Sequence, residues 1–199
     1  MKIITSVNCS VILLWSCFVV ASVEDKIADI AKNEYPNDQK MQSYVYKKQL
    51  RAFKYLESVK DNEVKEFAVR EYPNDYSMQK YTYDKQLSAK RYMSVVEDSE
   101  VTKIATREYP NDYSMQKYTY DKQLSAKRYM SVVEDSEVTK IATRVYPNDY
   151  AMQKYTYDKQ LSAKLYMSSL PRDSLRKSIE RQYPYDYSMQ KYAYDKLSY

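Results

Sequence analysis

Neither glycine nor histidine occurs anywhere in the 199 residues, and there are only two cysteines and one tryptophan. Each absence removes a class of chemistry. Without glycine there is no GxGxxG dinucleotide turn, no phosphate loop, no EF-hand turn and no GxSxG nucleophile elbow. Without histidine the commonest general base and metal ligand are missing. An enzyme would have to work with Asp, Glu, Lys, Tyr, Ser and Thr, as paired carboxylates do in glycoside hydrolysis. The acids, however, recur on surface-type positions in every copy of a repeat, whereas an active site is one cleft. A non-enzyme without cofactor or metal is expected.

Both cysteines, Cys9 and Cys17, lie in an N-terminal segment that reads as a secretory signal peptide over 1–21. Lys2 gives a short basic start, residues 11–20 form an apolar run, and Val19, Val20 and Ala21 suit cleavage after Ala21. The run is too short for a spanning helix, which takes ~20 residues. Ser16 before Cys17 also fits a lipoprotein box, against which stand Trp15 and the apolar residues that continue past Cys17. Cleavage removes every thiol and the one N-x-S/T sequon, Asn8 to Ser10. The expected product is secreted, extracellular, free of the membrane and held by packing without disulfides. The full chain's 32 basic and 27 acidic residues, of which cleavage would remove only Lys2, are interspersed. A basic stripe for nucleic acid is not expected.

What is present in quantity is a repeat. Pro36, Pro73, Pro110, Pro147 and Pro184 recur every 37 residues, each in the frame Tyr-Pro-x-Asp, and residues 71–107 are identical to 108–144. Identical copies point to recent duplication, so the diverged end copies carry more information. Tyr109, Pro110, Asp112, Met115, Gln116, Tyr118, Tyr120 and Lys122 recur in all five and define the repeat. Such a period marks an array in which each unit is one supersecondary element that stacks on its neighbours. Residues 22–199 are expected to form one repeat domain, with units 24–60, 61–97, 98–134, 135–171 and a truncated 172–199.

Each unit reads as two helices. A short helix A spans about 99–108 in the third unit, with Val101, Ile104 and Ala105 at helical spacing and Asp98 or Ser99 as cap. Tyr109 precedes proline and leaves the helical region. Pro110 to Asp112 turn into a longer helix B over about 112–133. On a helical wheel its apolar residues form a broad face of Met115, Tyr118, Ala126, Tyr129, Met130 and Val133 and a narrow one of Tyr113, Tyr120 and Leu124. Apolar residues on two sides call for neighbours on both. The fold class is therefore all-α, tandem helical hairpins stacked as an α-solenoid or a kinked helical rod. Disorder is the competing reading of a mean hydropathy of −0.78, opposed by the apolar area of 25 tyrosines. The layout resembles tetratricopeptide-type arrays in its helix pairs, small alanines and hairpin proline. It departs from them in period, and in lacking the signature tryptophan and glycine.

Tyrosine is the residue to explain. Most copies suit interfaces between stacked helices. The candidates for exposure or modification are Tyr76, Tyr113, Tyr150 and Tyr187, because the first unit has the polar Gln39 at that position; Tyr118 and its equivalents read as core. Lys122 falls within the broad apolar face and is expected to pair with Asp112 or Glu108. The acidic runs at 97–100 and 134–137 could contact calcium but serve more simply as helix starts. Arg172, Arg176, Lys177 and Arg181 in the last unit read as a solubilising cap or a basic docking site. The functional expectation is a structural or surface-display protein of an extracellular matrix or secretion, with protein or matrix partners or self-association. The alternative is a soluble solenoid that binds a protein or small molecule.

Overall fold

The computed structural model describes residues 23–198, and among them every regular element is a helix. In chain order these are α1 (23–34), α2 (Gln39–Ser58), α3 (Asn62–Glu71), α4 (Tyr76–Met93), α5 (Ser99–Glu108), α6 (Tyr113–Met130), α7 (Ser136–Val145), α8 (Tyr150–Ser169), α9 (Ser174–Gln182) and α10 (Tyr187–Leu197). The segment 1–21 and its cleavage site at Ala21 lie outside the described residues. None of the described helices is long and apolar enough to cross a membrane.

One hairpin shows why this sequence folds this way. Asp98 sits in extended backbone and accepts from the Val101 amide at 3.1 Å, which starts α5, with Glu100 in the first turn facing the positive end of the helix. The helix stops at Tyr109 (φ −132°, ψ 71°), held out of the α region by Pro110. Asp112 then caps α6 by accepting from the Met115 amide at 3.0 Å. Gln116 reaches back across the Pro110 turn, seven residues, and its Nε2 donates to the Tyr109 carbonyl at 2.7 Å. Tyr-Pro-x-Asp-x-x-Met-Gln is therefore a helix stop, a turn, a cap and a clasp. The clasp recurs between Gln42 and Tyr35, Gln79 and Tyr72, Gln153 and Tyr146, and Gln190 and Tyr183.

Helix α6 ends at Met130, three residues short of the expected 133. Its last turn tightens, the Val132 amide donating to the Tyr129 carbonyl at 3.1 Å, and Asp135 is taken as the cap of α7. The chain breaks there without glycine, and α5 and α7 fold back on α6 and α8 as hairpins.

The chain divides after Ser88, within α4, into two compact bodies. In the first, Ile27 and Ala31 of α1, Val45, Ala52 and Leu56 of α2, Val64 and Ala68 of α3 and Tyr83 of α4 are buried. In the second, α8 packs against α6, α7 and α10. Its core repeats with the sequence. Val101, Ala105 and Tyr120 are enclosed by Tyr92, Met93, Val96, Leu124 and Tyr150, and one unit later Val138, Ala142 and Tyr157 are enclosed by Tyr129, Met130, Val133, Leu161 and Tyr187. Each cluster draws side chains from three successive units, so no hairpin buries its own apolar face alone.

The broad apolar face expected of helix B is not its buried side. The buried residues of α6 are Gln116, Thr119, Tyr120, Gln123 and Ala126. Glutamine occupies the interior because its amide is hydrogen-bonded there, through Nε2 for Gln116 and at both ends for Gln123, and a buried polar group with partners has little to lose.

Candidate functional site: joints and outward tyrosines

Three side-chain devices join successive units, and together they decide which residues remain for function. The first is a second glutamine. Gln123 donates through Nε2 to Asp149 at 2.9 Å while its Oε1 accepts from the Ala151 amide at 3.1 Å. The side chain of one B helix thereby completes the N-terminal cap of the next. Gln49 does the same for Asp75 and Ser77, and Gln160 for Asp186 and Ser188.

The second device is a phenol. The Tyr92 hydroxyl donates to Asp121 at 2.6 Å, its ring lies 4.3 Å from the Lys117 ammonium, and it meets the Tyr120 ring edge to face at 6.2 Å. Lys117 also pairs with Asp121. Tyr129, Asp158 and Lys154 repeat the arrangement, as do Tyr55, Asp84 and Lys80 in the first body. The hydrogen bond to Asp121 and burial push the Tyr92 hydroxyl up to about 12, and Asp158 does the same for Tyr129. Burial opposes ionisation of Asp121, but the bonds from Lys117 and Tyr92 outweigh it and hold the carboxyl below its ordinary value.

The third is a lysine. Lys127 donates to Asp98 and Glu100, both at 2.9 Å, and lies 5.2 Å over the Tyr150 ring. Lys164 repeats this with Asp135, Glu137 and Tyr187. Both lysines are held charged above their usual range by bonds to these acids, Glu100 first for Lys127 and Asp135 first for Lys164. The acids of the 97–100 and 134–137 runs thus serve as caps and ion-pair partners. No cluster of three potential metal-ligating residues occurs among the described residues.

These joints correct the expected placement of tyrosine. Tyr76, Tyr113, Tyr150 and Tyr187 are half-buried at joints. Tyr76 packs edge-on to Phe53 at 5.3 Å, and Tyr113 lies under Lys90. Burial, with a hydrogen bond to Glu137, takes the Tyr187 hydroxyl up to about 12. The exposed series is the one expected in the core: Tyr44, Tyr81, Tyr118, Tyr155 and Tyr192 are 61%, 62%, 61%, 60% and 52% exposed. The wheel failed because it grouped residues by apolarity. The buried Gln116 and Gln123 rotate the true interior away from Tyr118.

Lys122 is corrected with it. One turn after Tyr118, it is exposed, as are Lys48, Lys85, Lys159 and Lys196 after their tyrosines, and Lys117 and Lys127 make the ion pairs. Of the other repeat-defining residues, Tyr109, Pro110, Asp112 and Gln116 build the turn, Tyr120 is core and Met115 is half-buried. In the last unit Arg176 is turned inward, bonding the Leu170 carbonyl at 2.6 Å and Glu180 at 2.8 Å.

One feature of the first body was not anticipated. A groove of about 430 Å³ runs between α2 and α4, walled by Tyr44 and Tyr81 and edged by lysines and arginine. The signal was available as departures of the first unit from the repeat: Lys47 and Arg51 stand where later units have Asp84, Asp121 and Asp158, and Ser88, Ser125 and Ser162.

The fold defines a tandem array of helical hairpins. No family model, curated protein or solved structure matches the chain.

Proposed function

We propose that this is a secreted, non-enzymatic, tyrosine-rich repeat protein with a structural or surface-display role in an extracellular matrix or secretion. The observation that carries the reading is the outward series Tyr44, Tyr81, Tyr118, Tyr155 and Tyr192, one phenol per unit at the same helical position and each followed one turn later by an exposed lysine. Asp98, Asp112, Gln116, Gln123 and Lys127, which recur as well, are occupied in caps and joints. On this reading the hairpins act as a solenoid-type scaffold, and duplication of whole units adds display sites without altering the fold. Secretion rests on the signal-peptide character of 1–21, and the partners are matrix proteins or further copies of the chain.

The test is extraction of the native protein from its source followed by mass spectrometry of its tyrosine peptides. Resistance to extraction, with cross-linked or hydroxylated phenols at the Tyr118 series, supports a matrix role. A freely soluble protein with unmodified tyrosines overturns it. Deletion of residues 98–134 adds a second readout: display predicts graded loss of function with copy number.

A further inference from the structure

We propose that the groove between α2 and α4 is a binding site for a small organic anion, an apolar ring or chain carrying a sulfate, phosphate or carboxylate head. This goes beyond the display role, which would hold without it.

The argument begins with charge. In the later units the residues equivalent to Lys47, Lys48 and Arg51 are Asp, Lys and Ser, so that strip of helix B is close to neutral; in α2 all three are cations, and all three are exposed. Glu57 is the single acid of α2, at its far end. The one carboxylate lining the groove, Asp84, is already engaged by Lys80 at 2.6 Å and by the Tyr55 hydroxyl at 2.6 Å. None of Lys47, Lys48 and Arg51 has an ion pair among the described residues. Lys47 and Arg51 are one turn apart, about 6 Å along the axis, so both reach one anionic group.

The walls supply the other half of the chemistry. Tyr44 and Tyr81 stand on adjacent helices, more than half exposed, and with Ala52 beneath and the lysine stems alongside they offer an apolar trough. A volume of about 430 Å³ suits a compact ligand. Uncompensated charge over an apolar trough selects a molecule with both characters; an inorganic ion would leave the trough in water, and a neutral apolar molecule would leave the cations unused.

The test uses the full chain and the dye anilinonaphthalene sulfonate at low salt. The expected result is saturable binding at one site per chain. The double variant Lys47→Asp with Arg51→Ser, which installs the residues of later units, should weaken binding by about tenfold or more with helical circular dichroism unchanged. Lys122→Ala, outside the groove, should bind as the parent does, and an uncharged anilinonaphthalene should compete poorly. Should the double variant lose helicity, Lys48→Gln gives the same readout with a smaller expected drop. Unchanged affinity in the variants, or equal binding of the uncharged analogue, overturns the proposal. So does displacement of the dye by a sulfated polysaccharide or single-stranded DNA at far lower charge concentration than by small anions, since the site would then belong to a polymer.

Discussion

A glutamine with both ends of its amide engaged behaves as an internal cross-link between helices. Gln123 satisfies a carboxylate and an amide of the next unit at once. Gln123→Ala should leave Asp149 and the Ala151 amide short of partners and cost ~1–3 kcal/mol, read as a lower melting temperature; a variant as stable as the parent would show that water replaces the side chain without loss. The hydroxyl of Ser188 is the opposite case, buried with no hydrogen-bond partner among the described residues, and the fourth unit has Ala151 at the same position. Ser188→Ala should therefore leave stability unchanged or raise it by up to ~1 kcal/mol, measured by denaturant midpoint at constant m-value. The sequence could name Gln116 as repeat-defining because it recurs, but its task was hidden in a backbone carbonyl seven residues away. Sorting side chains by hydrophobicity then turned the helix the wrong way, placing Tyr118 inside and Tyr113 outside.

At the scale of the element, the legible features were those with local causes. Helix A was expected over 99–108 and is found at Ser99–Glu108, because its cap, its periodicity and the residue before proline all lie within a dozen positions. The end of helix B was less legible, since it is decided by a tightened last turn and by Asp135 being claimed as the next cap. Asp149 joins the two levels: it caps α8 through the Met152 amide at 3.0 Å and receives Gln123. Asp149→Ala should cost ~1–2 kcal/mol and reduce helical circular dichroism, whereas Asp149→Asn, which can still accept from the backbone, should recover most of the loss. Equal damage from both would mean that the charge itself is what matters. The last hairpin carries local strain: Tyr185 has φ 66°, in the left-handed region, a conformation that the asparagines at this position in the other four units do not share. Tyr185→Asn should raise stability by ~1 kcal/mol, because Asn tolerates that region far better than an aromatic residue.

For the whole molecule, the joints predict a characteristic response to pH. On the acid side, bonds from Lys127 hold Asp98 and Glu100 below their ordinary carboxyl values, and bonds from Lys164 do the same for Asp135 and Glu137. A depressed folded-state value means stability that is fully present above the unfolded values of 3.8 and 4.5 and is lost as pH falls below them. The alkaline side is the more diagnostic, because it involves the tyrosines. Tyr92 and Tyr129 ionise at 10.0 when unfolded but at about 12 when folded, since each donates its proton to a carboxylate that a phenolate would repel. Raised values give the opposite sign. The stabilisation is complete below pH 10 and disappears as pH rises through about 12. Lys127 and Lys164, raised further still, begin to lose their contribution only above their unfolded value of 10.5 and keep part of it beyond the tyrosines' range. Phenolate absorbance should therefore climb in two stages, the second coinciding with loss of helical circular dichroism. Tyr129→Phe should lower stability near neutral pH and shrink the second stage, since the ring packing remains but the proton linked to Asp158 is gone. One smooth titration near the unfolded value, with helicity intact throughout, would show that the phenol–carboxylate bonds do not tie the repeats together.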